Sequence, residues 1–142
     1  MADRIKILVV DDDPLMLRLA SRVLREAGHE IVPAASGSEA LQLAEEEAPD
    51  LIILDVVLPD IDGIEICRRI KGSPATQDAY VMLLSGQRTE SKNQAAGLEA
   101  GADGYITRPV SNRQLLAQVE AMLRLKRAED ALKQRTEKLE SE

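Results

Sequence analysis

The sequence predicts an α/β fold: five parallel strands in an open, doubly wound sheet with helices on both faces. Three observations predict it. Short runs rich in β-branched and aliphatic residues recur five times. Amphipathic helical patterns separate them. The connections are too short for any other arrangement of a strand, a covering helix and the next strand.

The elements follow in order. The first run, 5–10 (IKILVV), leads into Asp11-Asp12-Asp13. Met16, Leu19, Ala20, Val23, Leu24 and Ala27 then recur as one face of a helix. Asp13 suits its N-cap, Pro14 its first turn and Gly28 its close. The second run is 30–34 (EIVPA), and Ser36-x-x-Glu39 is a capping box for a helix over about 37–48. The third run is 51–55 (LIILD), followed by a helical pattern from Asp62 to Lys71 that Gly72 stops. The fourth run is 80–85 (YVMLLS), followed by a weaker helix over about 90–100 that Gly97 interrupts. The fifth is 104–107 (GYIT), and Ser111-x-x-Gln114 opens the last helix with a second capping box. Three of the runs are continuously apolar, as strands buried on both faces must be.

Composition narrows the function. A chain of 142 residues, 44% hydrophobic, is one domain with a short appendage. It has no Trp, no Phe and two Tyr, so the core is aliphatic. A net charge of −7 repels phosphate backbones, and no basic region, helix-turn-helix or zinc finger follows residue 123. No nucleic-acid partner is expected. The start, MADRIK, lacks an apolar segment and no run is long enough to span a bilayer, so a cytoplasmic protein without membrane contact is expected. Cys67, the only cysteine, follows Ile64 and Ile66 and reads as core. His29, next to Gly28, reads as a surface loop residue, and one His with one Cys makes no zinc site.

The end of the chain differs. Residues 112–142 hold seven Lys/Arg and six Asp/Glu, while the earlier part is strongly acidic. Leu125, Leu132 and Leu139 recur every seven residues, with Ala128 at the companion position and Arg135 breaking it. Two heptads are short of a full coiled-coil signal. The boundaries drawn are 1–123 for the domain and 124–142 for a helical extension, either a short coiled coil or a solvated helix. No stop signal precedes Glu142, which leaves open that the chain is a fragment.

In doubly wound sheets ligands bind beyond the carboxyl ends of the strands. Asp11 and Asp12 end the first strand, Asp55 the third and Ser85 the fourth, while Arg108 follows the fifth. With the first and third strands adjacent, three carboxylates converge on one cation. Such a cluster calls for a divalent metal, and ligands that are all oxygen favour Mg²⁺. Mg²⁺ beside Ser85 and Arg108 suits phosphoryl transfer onto a carboxylate.

These motifs, VVDDD, LIILDVVLPDIDG, VMLLSG and GADGYITRP, in this order and on this alternation of elements, resemble the receiver domain of two-component response regulators over about residues 5–123. The resemblance implies a flavodoxin-like sheet of order 2-1-3-4-5. It implies phosphorylation of Asp55 by the phosphohistidine of a sensor histidine kinase, by a phosphotransfer protein, or by a small phosphodonor. Asp12 and Asp55, the Val57 carbonyl and, through water, Asp11 would hold Mg²⁺, with Asp13 left as a helix cap. Ser85 and Tyr105 would be the switch pair, acting on the face of the fourth helix, fifth strand and fifth helix. That face, or the C-terminal helix, would carry any homodimer. Val57 and Gln87 would flank the attacking water, and Val57 cannot orient it, so slow self-dephosphorylation and no enzymatic turnover are expected. The family has Lys where this chain has Arg108, ahead of Pro109, and the bond between them is expected to be cis. A degenerate receiver acting as an unphosphorylated interaction module is the alternative. A phosphatase resembling the haloacid dehalogenases lacks its second acidic pair here, and a flavodoxin lacks its Ser/Thr-rich phosphate loop.

Overall fold

The computed structural model of the chain describes residues 5–86 and 90–141, the side chains of 90–93 and 141 excepted. Ten elements alternate without a break: β1 (Lys6–Val10), α1 (Pro14–Glu26), β2 (Glu30–Ala34), α2 (Gly37–Glu47), β3 (Leu51–Asp55), α3 (Gly63–Gly72), β4 (Tyr80–Ser85), α4 (Glu90–Glu99), β5 (Gly104–Thr107) and α5 (Asn112–Ser141). The strands form one parallel sheet of order β2-β1-β3-β4-β5. Pro33 costs this sheet no hydrogen bond that matters, because β2 lies at its edge.

Side chains alternate between two cores. Leu8, Val10, Ile52, Leu54, Val81 and Leu83 meet α2, α3 and the end of α4 on one face. Ile7, Val9, Ile53, Met82 and Ile106 meet α1 and α5 on the other. β3 and β4 are buried at every position, which explains their unbroken apolar sequences. Asp13 caps α1 by accepting the Leu15 and Met16 N–H groups. Ser36 caps α2, and Ser111 exchanges both bonds of a capping box with Gln114. Gly28 holds a φ of 97° beyond α1, a backbone that only glycine adopts freely.

Three sequence expectations need correction. The face of α1 that enters the core carries Leu17, Ala20, Ser21 and Leu24, whereas Met16 and Leu19 are exposed together with Leu15. The error comes from a helix with apolar residues on two faces, of which periodicity picks one. Gly97 does not interrupt α4, which runs through it. A Cβ there would stand 2.6 Å from Leu83 Cδ1, so the glycine lets α4 press against β4. His29 lies in the loop between α1 and β2, but not on the surface: its side chain is 8% exposed and Nε2 lies 2.7 Å from Glu120 on α5. Cys67 is buried, and burial pushes its thiol up to about 11.

α5 runs as one helix of 30 residues. Its first part fills the second core with Leu115, Val119, Met122 and Leu123. Beyond that, Leu125, Leu132 and Leu139 are 56%, 66% and 67% exposed. Among the described residues, no helix is long and apolar enough to cross a membrane.

Candidate phosphoacceptor site

Register builds the site. Val10 pairs with Leu54, so the next residues, Asp11 and Asp55, leave the sheet side by side. Both continue the alternation of Ile7-Val9 and Leu51-Ile53 towards the α1/α5 face. Ser85 pairs with Thr107, and the Arg108 N–H donates to the Ser85 carbonyl at 2.7 Å. That bond carries Arg108 over the end of the sheet. The Arg108–Pro109 bond is cis.

One carboxylate oxygen from each of Asp11, Asp12 and Asp55 lies within 4.8 Å of the other two. Asp11 and Asp55 are buried, and Asp12 is exposed. Arg108 spans the buried pair, with Nη2 2.7 Å from Asp11 Oδ2 and Nη1 3.1 Å from Asp55 Oδ2. The other oxygens accept backbone N–H groups, Asp11 Oδ1 from Asp13 at 2.9 Å and Asp55 Oδ1 from Val57 at 3.1 Å. Burial pushes the Asp55 carboxyl above its ordinary value; Arg108 and the Val57 N–H oppose that, and Asp11 adds to it. Burial works against the Arg108 charge, yet Asp55 and Asp11 outweigh it and hold the guanidinium above its usual value.

A donor set of carboxylate oxygens with no nitrogen or sulfur fits a small hard cation. Three negative charges against one guanidinium leave a deficit that such an ion removes.

The other named residues take these places. Ser85 is buried at the end of β4, and its Oγ donates to the Gly86 carbonyl at 3.3 Å. Tyr105 is half-buried on β5, packed against the first core beside Gly97. The Val57 side chain is 71% exposed. Gln87 lies outside the described residues.

Two supports of the site escape sequence reasoning. A Cβ on Gly63 would fall inside the Asp55 carbonyl oxygen and 2.8 Å from Val56 Cα, so α3 starts directly on the backbone at the end of β3. The signal was present in the glycine after the helix cap Asp62, but not its partner. Asp60 accepts the Gly37 N–H at 2.8 Å and the Ser38 N–H at 2.9 Å, tying the loop after Asp55 to the start of α2.

The response regulator receiver domain family model matches residues 7–120. The chain is 42% identical over 119 residues to the alkaline phosphatase synthesis transcriptional regulatory protein PhoP of Bacillus subtilis, covering 84% of this chain and 48% of that protein. It is 39% identical over 127 residues to the response regulator MprA of Mycobacterium tuberculosis, covering 89% of this chain and 54% of MprA. It thus spans about half the length of these relatives. The CheY-like receiver domain protein of Methanospirillum hungatei aligns with a TM-score of 0.83 at 31% identity, over 89% of this chain and 99% of that one. The BeF3-activated DrrB receiver domain aligns with a TM-score of 0.75 at 37% identity, over 86% and 99%. The matched stretch begins inside β1, ends inside α5 and takes in every acid of the cluster, and by that measure the chain belongs to the response regulator receiver domains.

Proposed function

We propose that this chain receives a phosphoryl group on Asp55 and passes the change to its β5–α5 side. One observation carries the reading: Asp55 is a buried carboxylate at a strand end, flanked by two more acids and reached by one guanidinium. A buried carboxylate with a weak hydration shell is a ready nucleophile once its charge is balanced.

An Asp55 carboxylate oxygen attacks phosphorus. An O–P bond forms while the N–P bond of a donor phosphohistidine breaks, and the imidazole leaves with the electron pair. Asp12, Asp55 and the Val57 carbonyl would hold Mg²⁺ directly, and Asp11 through water. Bound there, the ion supplies positive charge to the phosphoryl oxygens. Arg108 turns its fork onto that group, a geometry guanidinium suits. Ser85 moves its hydroxyl to another phosphoryl oxygen, and Tyr105 follows into the space released. Val57 offers incoming water no hydrogen bond, so the acyl phosphate is long-lived. The chain is modified once per donor and is not a turnover enzyme.

Response regulators of two-component systems act with histidine kinases, and the partner proposed here is such a kinase or a phosphotransfer protein in the cytoplasm. Exposed Leu15, Met16 and Leu19 on α1, next to the acids, offer it an apolar docking patch. The division proposed is 1–123 for the domain and 124–142 for the extension, whose Lys126 and Glu129 still reach back to Tyr80. Leu125, Leu132 and Leu139 support a homodimer through that extension.

Intact-mass measurement after incubation with a small phosphodonor and Mg²⁺ tests the reading. Wild type gains one phosphoryl group and Asp55→Asn gains none. Equal gain by both variants would overturn it. A second reading, an unphosphorylated interaction module, draws on the Arg108 fork that already closes the buried acids. It predicts no gain in either.

A further inference from the structure

Two rings at the amino edge of the sheet hold α5 by its acids. His29, just ahead of β2, is buried, and its Nε2 lies 2.7 Å from Glu120 Oε1. Tyr80, the first residue of β4, is buried, and its hydroxyl donates to Glu129. β1 and β3 lie between β2 and β4, so the two grips come from either side of the strands that α5 covers. Glu120 and Glu129 are nine residues apart, about two and a half turns, and so project from opposite flanks of the helix. Between those flanks Val119, Met122, Leu123 and Lys126 face the body and are buried. The Lys126 ammonium stands 5.7 Å from the Tyr80 ring centroid and 3.0 Å from Asp130. A helix gripped on both flanks resists rolling about its axis.

Held this way, α5 turns Leu125, Leu132 and Leu139 about 100–140° away from Lys126, and all three are exposed. Charge says what covers them. Residues 1–111 hold 11 Lys/Arg and 19 Asp/Glu, whereas residues 112–142 hold seven and six. Two copies meeting through their bodies bring together two strongly acidic surfaces. Two copies meeting through their extensions do not, and leucines spaced by seven match a second stripe of the same spacing.

We propose that the His29–Glu120 and Tyr80–Glu129 clamps fix the rotation of α5 and thereby aim its leucine stripe at a second copy of this chain. The inference deepens the homodimer reading above and rests on it. His29, Tyr80, Glu120 and Glu129 are positioning residues for that interface. A helix free to roll presents the stripe for only part of the time, and the apparent affinity of the dimer falls by that fraction.

Sedimentation equilibrium of the full chain tests this. The proteins are wild type, Leu132→Glu, Glu120→Ala, Glu129→Ala, Glu129→Gln and Tyr80→Phe, each measured below the onset of its thermal melt. The homodimer reading predicts that wild type dimerises and Leu132→Glu does not. The clamps predict a dimer dissociation constant about threefold to tenfold higher in Glu120→Ala, Glu129→Ala and Tyr80→Phe. Glu129→Gln keeps an oxygen that accepts the tyrosine hydroxyl and should dimerise as wild type does. Tyr80→Phe combined with Glu129→Ala should weaken the dimer no further than either change alone, because both remove one contact. Glu120→Ala, at a partly exposed position, carries the test if the Tyr80 variants do not fold. Wild-type affinity in the three clamp variants, or an equal loss in Glu129→Gln and Glu129→Ala, overturns the clamps and leaves the homodimer standing. A wild type that stays monomeric, or a Leu132→Glu variant that dimerises equally, overturns both.

Discussion

The two edges of the sheet use the same charged residue types for opposite ends. At the amino edge, the acids are spread out among several donors. Asp103 takes the Lys71 ammonium at 2.7 Å and the Val81 N–H at 2.9 Å. Asp50 takes the Lys6 N–H at 3.0 Å. Lys6 itself reaches Glu30 and Glu47. The Tyr80 hydroxyl donates to Glu129, and the ammonium groups of Lys71 and Lys126 stand 5.6 and 5.7 Å from the Tyr80 ring centroid. At the carboxyl edge, three acids arrive together and share Arg108. Acids at the amino edge tie α5 and the loops to the strands. Those at the carboxyl edge are held in mutual repulsion by strands buried too deeply to part, and that stored demand for positive charge is what a phosphoryl-accepting site uses.

Substitutions sharpen the contrast. Asp12→Asn removes the open acid, and phosphorylation from a small phosphodonor should slow by about 10²-fold or more, the equivalent of several kcal/mol at the transition state. The urea midpoint of the metal-free variant should not fall, because one repelling charge is gone. A lower midpoint would mean that Asp12 stabilises the fold, as the acids of the other edge do.

Gly63→Ala should cost about 1–3 kcal/mol, read from urea unfolding, because its methyl group meets the Asp55 backbone and α3 must shift. It should also slow phosphorylation, since the shift is transmitted to the acceptor. Undisturbed phosphorylation in this variant would detach the acceptor geometry from α3.

Asp103→Ala does the reverse. It leaves the Val81 N–H without its acceptor and the half-buried Lys71 ammonium with the Ala79 carbonyl but no carboxylate, a loss of about 1.5–3 kcal/mol. Phosphorylation of the folded fraction should match wild type. A matching loss of phosphorylation would show that the two edges are coupled.

The smallest effect is on acid stability. The Gly37 and Ser38 N–H groups hold the Asp60 carboxyl well below its ordinary value of 3.8. A depressed folded pKa means that Asp60 contributes stability above pH about 4 and loses it as the pH falls below that. Asp60→Asn should therefore flatten the decline in melting temperature below pH about 4. An unchanged acid slope would assign the decline to other carboxylates.

The legible and illegible parts of the molecule divide along the same physical line. Strands β3 and β4 were plain because a strand buried on both faces must be apolar at every position, and Asp55 and Ser85 stood out as the polar residues ending them. Asp13 and Ser36 were plain because capping acts over two or three residues. What stayed hidden depends on distant packing. Gly97 reads locally as a helix breaker, and only the approach of Leu83 gives it a purpose. His29 reads as a surface residue until α5 brings Glu120 across 91 positions of sequence. Met16 and Leu19 read as core, since periodicity cannot tell a face that packs from one left open. Arg108 was legible as a cation near the acids, but its two-point grip depended on the β4–β5 register.

Position-specific labelling tests the central claim most directly. Borohydride reduces an aspartyl phosphate to homoserine, and tandem mass spectrometry then reads which residue was modified. After treatment with phosphodonor and Mg²⁺, the account predicts conversion at Asp55 alone. Conversion at Asp11, Asp12 or Asp13, or at none of the aspartates, would contradict it.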